Sequence, residues 1–314
     1  MTVRALVSAF VAALVFSLLP ATAAHAKTIA YDLPRTGVLL EGIGLAPDGD
    51  TFYVSGVNDG GDVYRGEVGE EELELWHDGT GTTGRGIDVD EAGRVYVAGG
   101  PTGTVRIFDA SGALLATVAN GTAGSFLNDL WVGPDGSVYV TDSSLPIIWR
   151  ITEGPTGWEI EPWLDVSPQI QYTESLADFD LGGIVTTRDD DALLTSQGTT
   201  GQLWRIDLAT QEIVEVDLGG AAIPNTDGIV LKGNKLWVVQ NFLRQVSMFK
   251  LDSDAESARL RRVQQTPADQ TLTTAKLTQG RLLAVDSQFG FPAETAPAED
   301  RVLSLKQSAG AHVR

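Results

Sequence analysis

One unit recurs six times along this chain, at intervals of about 45 residues, and it limits the fold more than any other feature. Each copy is an apolar segment, a tight turn and a second apolar segment; in one copy residues 128–132 precede Pro134-Asp135-Gly136 and residues 137–140. The copies begin near Glu41, Arg85, Asn128, Gly182, Asp227 and Thr273. Such hairpins at this period predict four-stranded blades, and hence an all-β, six-bladed propeller.

Further apolar segments supply a third strand for every copy and a fourth strand for all but the last copy. The segment 301–305 is the third strand of the last copy, after which the chain ends in polar residues. Residues 28–33 alternate between apolar and polar side chains, as a strand does. We predict that this N-terminal strand completes the last blade and closes the ring, within a propeller spanning residues 27–310.

The first 26 residues have the pattern of a signal peptide rather than of the fold. Arg4 precedes an apolar run over residues 5–19, and Ala24-His25-Ala26 has the small-residue spacing of a cleavage site. The run is too short for a membrane span. We therefore predict export through a Sec signal peptide and a secreted mature protein.

Composition excludes several kinds of function. The chain has no cysteine and a formal net charge of −20, so disulfides, thiol chemistry and attraction to nucleic acid or anionic membranes are not expected. It has three histidines, one of them in the predicted signal peptide, which argues against a zinc site or a Ser-His-Asp triad. We expect a monomer that binds a small molecule, not nucleic acid or membrane.

The innermost strand of each propeller blade lines a central channel, and the residue before its Gly-Ile-like pair is expected at the channel mouth. Glu41, Asn128 and Asp227 hold that position in three blades. Their carboxylate and amide oxygens are the ligands that Ca²⁺ or Mg²⁺ prefers. The alternative, that each residue only ends a strand and faces water, stays open at this point.

The phrases Glu41-Gly42, Asn128-Asp129-Leu130 with a following Pro-Asp-Gly, and Asp227-Gly228-Ile229 resemble one superfamily. It contains senescence marker protein, gluconolactonase and luciferin-regenerating enzyme, and diisopropyl fluorophosphatase has a similar propeller. The resemblance implies one divalent ion, often Ca²⁺, held by a Glu from blade one, Asn residues from blades three and four and an Asp from blade five. By position these ligands are Glu41, Asn128 and Asp227. The implied reaction is hydrolysis of a lactone or ester, with Asp227 as general base or nucleophile.

This chain departs from the superfamily pattern at two mouth positions. Gly182 replaces the blade-four Asn, and we expect Asp180 or a water molecule to fill the gap. Arg85 places a cation at the mouth, where it pairs with an acidic neighbour or binds a substrate anion.

Arg85, Asn241 and Asp142 are the predicted substrate-binding residues. Two functions follow from this set of residues. One is a secreted calcium-dependent hydrolase of the lactonase or esterase type. The other is a non-catalytic propeller that binds a small ligand or a protein partner, its metal site being incomplete at Gly182. A metal-free enzyme resembling strictosidine synthase is a third interpretation, which Thr273 in place of a blade-six Glu disfavours.

Overall fold

The computed structural model of this protein describes residues 29–79, 81–173, 179–287, 289–290 and 300–306. Within these ranges 24 strands form six four-stranded antiparallel sheets, and there is no helix, so none that could cross a membrane. The predicted signal peptide and the two residues after it lie outside the described residues.

Five blades follow the chain directly, and each begins with its innermost strand. Blade one contains β2 (Leu40–Leu45), β3 (Thr51–Gly56), β4 (Val63–Glu67) and β5 (Glu74–His77). Blade two contains β6 (Ile87–Val89), β7 (Val95–Ala98), β8 (Thr104–Phe108) and β9 (Leu114–Ala119). Blade three contains β10 (Leu127–Val132), β11 (Val138–Asp142), β12 (Ile147–Gly154) and β13 (Gly157–Asp165). Blade four contains β14 (Leu181–Thr186), β15 (Ala192–Gln197), β16 (Gln202–Asp207) and β17 (Ile213–Glu215). Blade five contains β18 (Thr226–Lys232), β19 (Lys235–Gln240), β20 (Gln245–Leu251) and β21 (Ala258–Gln265).

Blade six joins the two ends of the chain. It contains β22 (Thr271–Thr278), β23 (Arg281–Ser287), β24 (Arg301–Lys306) and, as its outer strand, β1 (Ile29–Asp32). Strand β1 pairs antiparallel with β24, with Ile29 opposite Ser304. Tyr31 is fully buried and meets the ring of Phe52 in blade one edge-on, at a centroid separation of 5.0 Å. The predicted all-β, six-bladed fold and its closure by the N-terminal strand are confirmed.

A β-bulge shapes the innermost strand in five of the six blades. The register of β2 against β3 shifts between Leu40 and Ile43, and β10, β14, β18 and β22 show the same shift. A bulge leaves two residues opposite one and bends the strand. The mouth residues predicted from the repeats, apart from Arg85 ahead of β6, all lie within these bulges.

The bulges also let neighbouring blades approach closely around the channel. A Cβ at Gly42 would lie 2.3 Å from the carbonyl oxygen of Arg85, and one at Gly228 would lie 2.1 Å from Thr274 Oγ1. Hydroxyl groups bridge adjacent blades at the same level: Ser55 donates to the Arg85 carbonyl (2.6 Å), and Thr273 donates to the Glu41 carbonyl (2.7 Å). These contacts between neighbouring blades therefore fix the backbone positions from which the mouth side chains extend.

Candidate functional site

A cavity of about 610 Å³ opens at the end of the channel where the innermost strands begin. Glu41, Asn128, Gly182 and Asp227 line it, as does Arg85. The fold thus brings together five of the six mouth positions that the repeats predict. The sixth, Thr273, is fully buried and is not among the lining residues.

Glu41 and Asp227 form an acidic pair inside this cavity. Glu41 is buried, and its Oε2 has no hydrogen-bond partner. Asp227 Oδ2 accepts a hydrogen bond of 3.1 Å from Asn241 Nδ2. Burial raises the pKa of Glu41 well above its usual range, and the nearby Asp227 charge raises it further. Burial and the charge of Asp129 likewise raise the pKa of Asp227.

Arg85 is the positive group beside this acidic pair. Its charge opposes the rise in pKa of both Glu41 and Asp227. The guanidinium carbon lies 5.2 Å from the ring centroid of Phe126 and 5.9 Å from that of Phe289, and Nε is buried without a hydrogen-bond partner. The two rings therefore hold the guanidinium in place while leaving hydrogen-bonding capacity at Nε.

Asn128 is oriented by a hydrogen-bond relay behind the cavity. Its Nδ2 donates to Ser143 Oγ (2.8 Å), and that hydroxyl donates to the carbonyl of Leu181 (2.6 Å). With Nδ2 engaged by Ser143, the amide oxygen is the end of the side chain that remains for a ligand.

The backbone of blade five occupies the space in which a side chain at position 182 would lie. A Cβ at this position would lie 2.8 Å from the carbonyl oxygen of Asp227 and 3.3 Å from that of Thr226. Real Cβ atoms do not approach an oxygen that closely without something shifting. The backbone of blade five therefore sits against Gly182, and the local structure accommodates glycine rather than asparagine.

Asp180 lies behind the cavity wall rather than in it. Its Oδ2 accepts from the backbone N–H (2.9 Å) and hydroxyl (3.1 Å) of Thr173, and its Oδ1 accepts from Gln197 Nε2 (3.0 Å) and Thr199 Oγ1 (2.5 Å). Both oxygens are occupied, so the structure does not place Asp180 in the gap left by Gly182. Thr173 and Thr199, which Asp180 positions, do line the cavity.

Asp142 has the same role in blade three. It is fully buried and is not among the lining residues. Its Oδ1 accepts from the backbone N–H of Phe126, Ser144 and Leu145. Its Oδ2 accepts from Ser125 Oγ (2.5 Å) and Trp149 Nε1 (3.2 Å). These bonds make Asp142 a group that shapes loops, whereas Asn241, predicted with it, does line the cavity.

Four phenylalanines that the sequence analysis did not single out form much of the cavity wall. They are Phe126, Phe179, Phe242 and Phe289. Phe126 lies two residues before Asn128, Phe179 three residues before Gly182, and Phe242 directly follows Asn241. The proximity of these three to predicted site residues is the signal that could have identified them, whereas Phe289 lies 16 residues after Thr273 and has no such signal.

Asp129 is a second missed residue, next to Asn128 in the bulge. Burial raises its pKa to about 6, although Lys276 opposes the rise. Its Oδ1 accepts a 2.9 Å hydrogen bond from the backbone N–H of Leu130. Its negative charge contributes to the raised pKa of both Glu41 and Asp227.

The donor chemistry at the mouth fits a divalent cation with few protein ligands. Glu41, which is buried, and Asp227, which is half-buried, are carboxylates that repel each other, and Glu41 Oε2 is without a hydrogen-bond partner. A cation between them would offset the repulsion between the two carboxylates and would give the unpartnered Glu41 oxygen a contact. Across the part of the chain that the structure describes, no group of three or more His, Asp or Glu side chains could hold a metal. A third protein ligand would therefore be the amide oxygen of Asn128, with water completing the shell.

Comparison with known proteins shows the fold. A calcium-binding protein, regucalcin from Agrobacterium tumefaciens, is 15% identical with a TM-score of 0.65, over 86% of this chain and 90% of that one. A luciferin-regenerating enzyme is 13% identical with a TM-score of 0.61, over 89% and 96%. A virginiamycin B lyase from Staphylococcus aureus is 14% identical with a TM-score of 0.55, over 90% and 99%. No family model and no curated protein sequence matches the chain.

Proposed function

We propose that this protein is a secreted, calcium-dependent hydrolase that cleaves a small ester or lactone in the channel-mouth cavity. The observation that supports it most is the pair Glu41 and Asp227, a buried and a half-buried carboxylate that line one cavity, with Glu41 Oε2 lacking a hydrogen-bond partner. The likeness to a calcium-binding propeller supports the choice of metal. The signal-like segment at residues 1–26 supports export.

Glu41, Asp227 and the Asn128 amide oxygen would hold the cation. When bound, the cation would polarise the substrate carbonyl and lower the pKa of a bound water. In the hydrolysis itself, a bond forms between the water oxygen and the acyl carbon, the acyl C–O bond breaks, and a carboxylic acid and an alcohol are released. Asp227, oriented by Asn241, is the group placed to take the proton of the attacking water.

Gly182 favours a second candidate, a propeller that binds its ligand without catalysis. Backbone fills the place of a blade-four ligand, which leaves the cation with fewer protein contacts. A weaker cation site would still serve to anchor an anionic ligand. The two candidates differ in whether Asp227 is needed for turnover or only for binding.

A calcium titration followed by calorimetry tests the metal site. We expect saturable Ca²⁺ binding in the wild type, a loss of about tenfold or more in affinity in Glu41→Gln and Asp227→Asn, and wild-type binding in the control Glu74→Gln. Glu74 is an exposed carboxylate on the outer strand β5 that pairs with Arg65 and does not line the cavity. Absence of binding heat in the wild type would overturn the proposed metal dependence.

A hydrolysis assay on a panel of esters and lactones tests catalysis separately. The hydrolase proposal predicts turnover that needs Ca²⁺ and that falls by about a hundredfold or more in Asp227→Asn. Calcium binding and ligand binding without turnover would instead establish the non-catalytic candidate.

A further inference from the structure

Aromatic side chains form much of the wall of the cavity that holds the acidic pair Glu41 and Asp227. Four of the ten phenylalanines of the chain line it. Phe126 meets Phe179 edge-to-face at 4.9 Å, so two of the rings form a continuous surface. Phe179 and Phe242 are respectively 49% and 59% exposed, among the most exposed large apolar side chains of the described residues. An apolar ligand that covers exposed phenyl rings at a cavity rim removes apolar surface from water, which favours binding.

Three of the polar side chains of the same wall are already engaged by the protein. The hydroxyl protons of Thr173 and Thr199 are donated to Asp180. Asn241 donates to Asp227 and accepts from the backbone N–H of Phe242 (2.6 Å). A polyhydroxylated ligand needs many free donors and acceptors around it, and it loses affinity where they are missing. These three engaged groups therefore offer a sugar-like ligand fewer partners than the number of polar lining residues suggests.

Arg85 is the cationic side chain among the lining residues, and its Nε is buried without a hydrogen-bond partner. The rings of Phe126 and Phe289 flank the guanidinium and restrict its position without satisfying its N–H groups. A guanidinium matches the geometry of a carboxylate, which can accept two parallel hydrogen bonds from it. Arg85 thus provides one anchor for an anionic group, next to an apolar surface.

The charge count of the cavity agrees with an anionic ligand. The charged side chains that line the cavity are Glu41, Asp227 and Arg85, and the charge of Asp129 acts on the two carboxylates from behind the wall. With the proposed divalent cation bound to Glu41 and Asp227, a negative group on the ligand would be the partner of Arg85 inside the cavity.

We infer that the cavity takes an apolar, aromatic ester or lactone that also carries a free carboxylate, with Arg85 binding that carboxylate and the four phenylalanines covering the ring. The inference rests on the proposed function, since it names the substrate class of the same cavity. It separates this site from one that binds polyhydroxylated lactones.

Binding of three small probes to the full mature protein in the presence of Ca²⁺ tests this inference by calorimetry. Phenylpropionate carries both the ring and the carboxylate, phenylpropanol lacks the charge, and gluconate lacks the ring. We expect phenylpropionate to bind at least about tenfold more tightly than either of the others. Equal or tighter binding of gluconate would overturn the inference.

Variants separate the contribution of Arg85 to probe binding from that of the phenylalanines. Arg85→Gln should weaken phenylpropionate binding by about tenfold or more and leave phenylpropanol binding unchanged, with Arg85→Lys in between. Phe242→Ala should weaken the binding of both aromatic probes. The matched controls are Arg65→Gln, a cation on the outer strands of blade one, and Leu243→Ala, an exposed apolar residue that does not line the cavity. Unfolding midpoints for all variants establish that each one is folded.

The result also distinguishes the two proposals. Arg85-dependent binding of phenylpropionate, together with no hydrolysis of any compound in the ester and lactone panel, would support the ligand class and overturn the catalytic proposal. Calcium-dependent hydrolysis that is insensitive to Arg85→Gln would do the reverse.

Discussion

Two buried aspartates show how single residues build the site without touching the ligand. Asp142 and Asp180 each collect hydrogen bonds from loops at the cavity end of their blades. Asp142 binds the backbone of Phe126, and Asp180 binds both polar groups of Thr173, so each carboxylate positions a cavity-lining residue. Their polar character marked them as candidate site residues, but sequence could not show that all of their oxygens are consumed by the protein itself.

Replacing Asp142 should therefore affect folding more than ligand contact. We expect Asp142→Ala to lower the free energy of unfolding by about 1–3 kcal/mol, because several buried donors lose their acceptor. Denaturation by urea measures this change. Asp109→Ala, which removes a half-exposed turn aspartate that accepts three hydrogen bonds against five for Asp142, is the control and should cost clearly less.

Asp286 gives a pH dependence whose sign follows from its surroundings. Burial raises its pKa to about 6, despite the opposing charge of Arg301. The folded state thus holds this proton more tightly than the unfolded state does, so the contribution of Asp286 to stability falls as pH rises from about 4 to about 6. As the pH rises over that interval, the unfolding midpoint of Asp286→Asn should therefore rise relative to that of the wild type. Above about pH 6 the difference between the two midpoints should stay constant. A midpoint of the variant that instead rises relative to the wild type as the pH is lowered would contradict the raised pKa of Asp286.

At the scale of the element, the bulged innermost strand links the repeat to the site. The turns and alternating apolar segments are local signals, so the strands and their order could be predicted from sequence. The mouth position of Asp227 also follows from the repeat, because it is the residue before a Gly-Ile-like pair, whereas the bulge that places it there is seen only in the structure. Contacts between blades could not be predicted, since the backbone that fills the space beside Gly182 comes from a strand some forty-five residues later.

Gly228 tests whether close blade packing holds the acidic pair in place. A Cβ there would overlap Thr274, so we expect Gly228→Ala to cost about 1–3 kcal/mol and to weaken calcium binding by moving Asp227. Gly154→Ala is the control, because its Cβ would find its nearest neighbour at 3.6 Å, an ordinary contact. Unfolding and calorimetry on both variants measure the two effects, and an unchanged calcium affinity in Gly228→Ala would contradict the link.

At the scale of the whole molecule, closure of the ring keeps six blades at a common radius. Strand β1 pairs with β24 and also bonds to blade one, where Asp32 exchanges backbone hydrogen bonds with Glu71 and Leu73. Leu40, at the start of β2, donates to Asp300 ahead of β24 (2.7 Å). These contacts join the chain ends, so a loss at the closure is expected to weaken the entire ring.

Tyr31 is the residue in which that closure can be measured. We expect Tyr31→Ala to destabilise the protein by about 3–5 kcal/mol, since it removes a fully buried ring that packs on Phe52. Leu114→Ala, on the exposed outer strand of blade two, should change stability by less than about 0.5 kcal/mol. Similar costs in the two variants would show that the ring does not depend on its closure.

The most direct test of the account is a crystal structure of the protein grown with Ca²⁺, with the ion located by its anomalous signal. We expect one peak at the channel mouth, at about 2.4 Å from oxygens of Glu41 and Asp227 and within reach of the Asn128 amide oxygen. A map without a peak there, and with Arg85 bridging the two carboxylates instead, would contradict it.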